Sequence, residues 1–224
     1  MPYTPNMSMR EPVPNQSRVY GKREFRRAPF EEIIAVLLSE LETVPQDLEA
    51  YLKHKGFLDY LPELEEIPYL YYLRYRRGEK EYSGLAVKTL AGTWVIKNLQ
   101  GTYLSTRPTD VSFWRGTDNS TVVVESFTDA IAIKLQPKFK NSGVLILNGL
   151  PNLKRAVEII KKLKPEKIYI ALDLDERGLK ARKELKELFP EAKQVYFYGK
   201  DPAEYLSSND EEVRTTFHLL GRTG

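Results

Sequence analysis

Four acidic residues, Glu125, Asp173, Asp175 and Asp201, hold the chemical promise of this sequence. Glu125 directly follows the apolar run Val122–Val124, Asp173 and Asp175 follow Ile168–Leu172, and Asp201 comes shortly after Val195–Tyr198. Residues i and i+2 of an extended chain point the same way, so Asp173 and Asp175 can aim two carboxylates at one point. Carboxylates held together repel unless they are protonated or bridged by a cation, and Mg2+ with oxygen ligands is the usual bridge. Each piece also has a plain reading. An Asp-x-Asp can be surface acids ending a strand, Asp175 can cap the helix that follows, and Asp201-Pro202-Ala203-Glu204 fits a capping box with Pro at the first helical position. The common placement of these acids after apolar runs favours one site over scattered surface acids.

Cysteine is absent, which removes disulfides, thiolate zinc sites and cysteine nucleophiles. His54 and His218 lie far apart with no HxH or HxxxH partner and read as ordinary surface or packing residues. A metal would therefore be held by oxygen. The formal charge of +3 is too small to imply a polyanionic partner, but its distribution is uneven. Residues 1–27 hold four prolines and the bases Arg10, Arg18, Lys22, Arg23, Arg26 and Arg27 against Glu11 and Glu24. They read either as a flexible basic arm drawn to a nucleic acid backbone or as a solvated tail.

The elements that must position the acids follow from periodicity. Beyond residue 120, short Val/Ile/Leu strands alternate with amphipathic helices, one through Ala130 and Ile133, one through Leu153–Leu163 and one through Ala181–Leu188. This is the pattern of a four-stranded, mainly parallel sheet flanked by helices, in which ligands bind at the carboxyl ends of the strands. Upstream, residues 28–119 read as a smaller α+β subdomain. A helix is expected from Pro29 through Ile33, Ile34, Leu37, Leu38 and Leu41, and a second over Pro45–Lys55. Strands are expected over Ile67–Arg76, Leu85–Leu90 and Thr93–Leu99. The interleaved tyrosines and arginines of Ile67–Arg76 could stack bases, though tyrosines in strands more often simply pack the sheet. The full division is then 1–27, 28–119, 120–206 and a tail over 207–224. Composition, 42% apolar and 29% charged, suits a folded globular protein. No apolar run approaches the ~20 residues needed to cross a bilayer, Met1–Asn15 lacks the pattern of a secretory signal, and the expected location is the cytoplasm.

Glu125 after its strand, the Asn148-Gly149 turn, the run Asp173-Leu174-Asp175-Glu176-Arg177-Gly178-Leu179-Lys180-Ala181 and Gly199-Lys200-Asp201-Pro202 together resemble the Toprim domain of bacterial-type primases, topoisomerases and some nucleases. Asp129 matches a further acid of the primase version, and Lys200-Asp201-Pro202 is similar to primases and their plasmid or phage relatives rather than topoisomerases. Tyr103-Leu104-Ser105 followed by Phe113-Trp114-Arg115-Gly116 resembles the primase segment that precedes the catalytic sheet. Three positions depart from the pattern: Ser126 stands where Gly is usual, Arg177 where a small residue is usual, and Ala203 where a third carboxylate is expected, with Glu204 beside it.

The resemblance implies a primase-like nucleotidyltransferase core using Mg2+ or Mn2+ and nucleoside triphosphates on a single-stranded nucleic acid template. A Toprim nuclease and a non-catalytic nucleic-acid-binding module are the rivals. It implies catalytic roles for Glu125, Asp173 and Asp175, metal contacts from these with Asp129 and Asp201, and nucleotide or nucleic acid contacts from Arg115, Arg177, Asn148 and Lys200, joined by Arg23, Arg26 and Arg27 of the arm. With no cysteine and no GxxxxGK[ST] loop, a zinc-binding module or helicase would be a separate partner.

Overall fold

Alternation shapes the first sheet. The computed structural model describes residues 31–99, 103–106, 109–197, 199–207 and 218–220; the basic arm with Arg23, Arg26 and Arg27 lies outside them. Strands β1 (Glu31–Leu37), β2 (Tyr71–Arg77), β3 (Lys80–Lys88), β4 (Trp94–Asn98) and β5 (Tyr103–Ser105) form an antiparallel sheet in chain order. The β2–β3 hairpin closes with Arg77 opposite Lys80, and Gly78 in the two-residue turn has φ +60°, a value that favours glycine. On one face Tyr71 meets Trp94 edge-on at 5.0 Å and Tyr75 stacks on Tyr82 at 5.3 Å, so these rings pack against each other. On the other face, Leu85, Val87 and Val95 share a core with helices α1 (Gln46–His54) and α2 (Leu61–Glu65).

The helix expected from Pro29 is not formed. Ile33–Leu37 belong to β1, an edge strand paired through Ala35 and Leu73, with only a short 3-10 turn over Leu38–Glu40. The spacing of the apolar residues fitted a helix, but the open edge of β2 supplied a strand partner, and tertiary context overrides a short local pattern.

The second sheet has the order β11-β10-β9-β7-β8-β6. Strands β7 (Ser120–Val124), β8 (Gly143–Ile146), β9 (Lys167–Ile170) and β10 (Lys193–Tyr196) are mutually parallel. The sheet is nevertheless mixed and six-stranded rather than four-stranded. β6 (Ser112–Trp114) pairs antiparallel with β8, and β11 (His218–Leu220) pairs antiparallel with β10. These two cover the edges that four parallel strands would leave open. Helix α3 (Phe127–Lys134) packs on one face, where Val122, Val124, Phe127 and Ile131 join the same core as α1 and α2. Helices α4 (Leu153–Leu163) and α5 (Glu176–Leu188) cover the other face through Val123, Leu145, Ile160, Ile170 and Leu185. One continuous core therefore fixes the second sheet against the first. Among the described residues no helix is long and apolar enough to cross a membrane.

Candidate active site

The adjacency of β7 and β9 decides where the acids meet. Glu125 leaves the carboxyl end of β7 and Asp173 follows the carboxyl end of β9, so both stand on one rim of the sheet. Helix α6 (Pro202–Ser207) begins beyond the carboxyl end of β10 and brings in Asp201, whose Oδ1 accepts the Glu204 N–H at 2.8 Å. Glu204 returns its carboxylate to the Lys200 N–H at 2.6 Å, one residue earlier than a capping box requires. Asp175 caps α5, accepting the Gly178 N–H on Oδ1 at 2.9 Å. The loop bearing the two aspartates is tied across to the next strand end by the Leu174 N–H donating to the Lys200 carbonyl at 2.8 Å.

A cleft of about 450 Å3 opens on this rim. Glu125, Asp129, Asp173, Asp201, Lys200 and Glu204 line one side, and Lys55 at the end of α1, Phe57 and Lys97 of β4 line the other. Lys55 and Lys97 form no ion pair with a described residue, and burial, with Lys55 nearby, lowers the Lys97 ammonium from its ordinary pKa. Sequence reasoning missed this basic wall. Its one signal was the charge of Lys97 directly after the apolar run Trp94–Ile96, still within the strand.

The acids are crowded. Burial, reinforced by the charges of Asp173 and Asp175, pushes the Glu125 carboxyl up to about 7, with Arg177 and Lys200 opposing. Burial and the Asp201 charge push Asp129 up to about 7, although Ser126 hydrogen-bonds it through its N–H at 3.0 Å and its hydroxyl at 2.6 Å. These bonds make Ser126 and Asp129 the capping box of α3, a local reason for serine after Glu125. Burial and Asp201 raise Asp173, while the Gly178 N–H and Lys200 lower Asp175. The Lys200 ammonium stands 3.4 Å from Asp173 and 3.4 Å from Asp175.

Beneath Asp173 lies a fully buried cation. The Arg182 guanidinium donates from Nε to the Leu172 carbonyl and from Nη1 to the Val195 carbonyl, each at 2.9 Å, and sits 5.2 Å from the Tyr196 ring. The β9–β10 ladder ends at Ile170 and Gln194. Arg182 thus bridges the carbonyls where the strands part and supports the peptide that presents Asp173.

Two expected contacts are not brought to the cleft. Arg115 follows Trp114, which pairs with Val144 near the start of β8, because β6 runs antiparallel; it lies at the amino ends of the strands, in a separate depression with Leu90, Phe113 and Lys162. Asn148, in a left-handed conformation at φ +53°, spends its amide nitrogen on the Asp110 carbonyl and Ser112 Oγ, both at 2.9 Å, and so ties β6 to the sheet. Arg177 is exposed and near enough to Glu125 to act on its charge.

Among the described residues no three acids stand close enough to hold a metal ion as they lie. The donor set nonetheless fits a divalent cation. It consists of carboxyl groups crowded on one rim, and the Lys200 ammonium already serves as stand-in cation between two of them.

Residues 122–206 match the Toprim-like family. This segment is a Toprim-like domain. Among solved structures, the chain is similar to a chain in the complex of bacteriophage T7 lagging-strand DNA polymerase with primase domains of two gp4 subunits bound to an RNA/DNA hybrid and dTTP. The identity is 16% and the TM-score 0.49, over 64% of this chain and 78% of that one. No curated protein matches the sequence. The matched segment takes in Glu125, Asp129, Asp173, Asp175, Lys200 and Asp201, whereas Lys55 and Lys97 precede it in the chain.

Proposed function

We propose that this chain is a primase-like nucleotidyltransferase core that joins nucleotides on a single-stranded template with Mg2+ or Mn2+. The observation that carries this reading is the crowding of Glu125, Asp129 and Asp173 on one side of a cleft in a Toprim-like domain, with unpaired Lys55 and Lys97 opposite. Asp173 and Asp175 would hold the divalent ion, with Glu125 beside them. Bound there, the ion supplies neutralisation of triphosphate charge and polarisation of the attacking hydroxyl. Glu125, whose proton affinity burial has raised towards neutrality, accepts the proton of that hydroxyl. Asp129, bonded to Ser126, keeps the start of α3 and hence the Glu125 backbone in place. Lys55 and Lys97 face the space a triphosphate would fill.

The test is incubation of the protein with Mn2+, end-labelled single-stranded DNA and, in parallel, labelled nucleoside triphosphates. Strands carrying the triphosphate label are expected. Asp173→Asn keeps size and removes one charge, and should abolish extension while DNA binding stays intact or tightens slightly. Shortened strands would assign the same acids to a nuclease. No product of either kind, from wild type with Mg2+ or Mn2+, would reduce the chain to a binding module.

A further inference from the structure

The Lys200 side chain occupies the point on which Asp173 and Asp175 converge. Its Nζ is 3.4 Å from the Oδ2 of each, and on Asp175 that is the oxygen left over after Oδ1 has accepted the helix N–H. The backbone of Lys200 is pinned independently of its side chain, its N–H to Glu204 and its carbonyl to Leu174. The side chain itself is 53% exposed and has room to leave.

From this geometry we infer that Lys200 is a built-in counter-ion of the Asp173–Asp175 pair. It holds the two carboxylates together while no divalent ion is bound, competes with that ion, and is released by it towards the phosphate side of the cleft. The inference rests on the divalent-ion reading above. An ammonium and a divalent cation cannot share the space between two carboxylates, since like charges a few ångströms apart repel strongly where solvent is partly excluded. The dication wins on charge, and the pinned backbone keeps the freed ammonium at the rim. There the nearest new anion is a phosphate group of an incoming substrate. Metal arrival would then both fill the acidic point and supply a cation for the substrate, so metal binding precedes productive phosphate binding.

The experiment is an Mn2+ titration of the full chain, followed by electron paramagnetic resonance, without nucleotide or nucleic acid, on wild type, Lys200→Met and Lys200→Arg. Alongside it, acetylation of Lys200 in the wild type by acetic anhydride is read by mass spectrometry with and without Mg2+. Removing the competing ammonium should tighten Mn2+ binding by about tenfold, the arginine variant should bind like wild type, and Mg2+ should speed acetylation of Lys200. A methionine variant that binds Mn2+ no more tightly than wild type, or acetylation unaffected by Mg2+, would overturn the inference while leaving the metal site standing. Wild type that binds no Mn2+ would overturn the divalent-ion reading and the inference with it. Should the methionine variant not fold, the acetylation rates of the wild type still decide.

Discussion

Glu125 is a carboxyl held at higher proton affinity in the folded chain than in the unfolded one, because it is half-buried beside Asp173 and Asp175. Its ordinary value of 4.5 rises to about 7. Between those two values the folded state binds more protons, so this group's contribution is favourable in acid and is lost as pH rises through that window. Solvent reaches the group and screens it, leaving a share of stability on the order of 1–2 kcal/mol. Glu125→Gln removes the charge without changing shape. The metal-free variant should melt a few degrees above wild type near pH 8 and with wild type near pH 4. Added Mg2+ should narrow the gap at the higher pH, by relieving in the wild type the repulsion that the variant lacks. Thermal scans at the two pH values check this, and a variant less stable than wild type near pH 8 would show that Glu125 is not under electrostatic strain.

At the scale of elements, the start of α5 is what aims the aspartates. A Cβ placed on Gly178 would overlap the Asp173 carbonyl oxygen and come within 3.1 Å of the Asp173 Cβ, so the helix can approach the strand end only with glycine there. Gly178→Ala should destabilise the chain by about 1–3 kcal/mol through overpacking and weaken Mn2+ binding by moving Asp173. Leu179→Ala, at an exposed position of the same helix, should do neither in the same denaturant and titration series. The acids at the ends of β7 and β9 were legible in the sequence because continuous apolar runs declare buried parallel strands, and the strand end then locates the next residue, whereas Gly178 stood out only through the family resemblance. What stayed hidden depended on partners distant in sequence. Ser112–Trp114 is too short for any periodicity, and becomes a strand only because β8 offers an edge. Its antiparallel direction carries Arg115 to the amino ends of the strands, away from the acids. Ile33 and Ile34 fit a helical stripe equally well, yet in β1 both are exposed, Ile34 at 60%. Asn148 sits at a strand end as expected, but its amide is consumed in holding β6.

For the whole molecule, the two sheets share a core that runs from Leu48 and Val95 to Val122 and Phe127, and this core sets the distance between the two sides of the cleft. One side gathers negative charge from the Toprim-like domain, and the other presents Lys55 and Lys97 from the end of α1 and from β4. Such an arrangement separates tasks, with the acidic side suited to cations and the basic side to phosphates, so each should fail alone. Lys97 is the sharper probe, because burial has lowered the proton affinity of its ammonium and a phosphate arriving beside it would restore what burial took. Lys97→Gln should weaken triphosphate binding about 5- to 30-fold, the range for one charge-assisted hydrogen bond of about 1–2 kcal/mol, while Mn2+ binding without nucleotide stays at the wild-type value. Asp173→Asn should give the converse, losing Mn2+ and leaving only the metal-independent part of triphosphate binding. Calorimetric titration of both variants with Mn2+ and with a nucleoside triphosphate separates the two. Equal loss of both ligands in Lys97→Gln would mean that β4 merely supports the fold of the acidic side, and that the two sides do not divide the work between them.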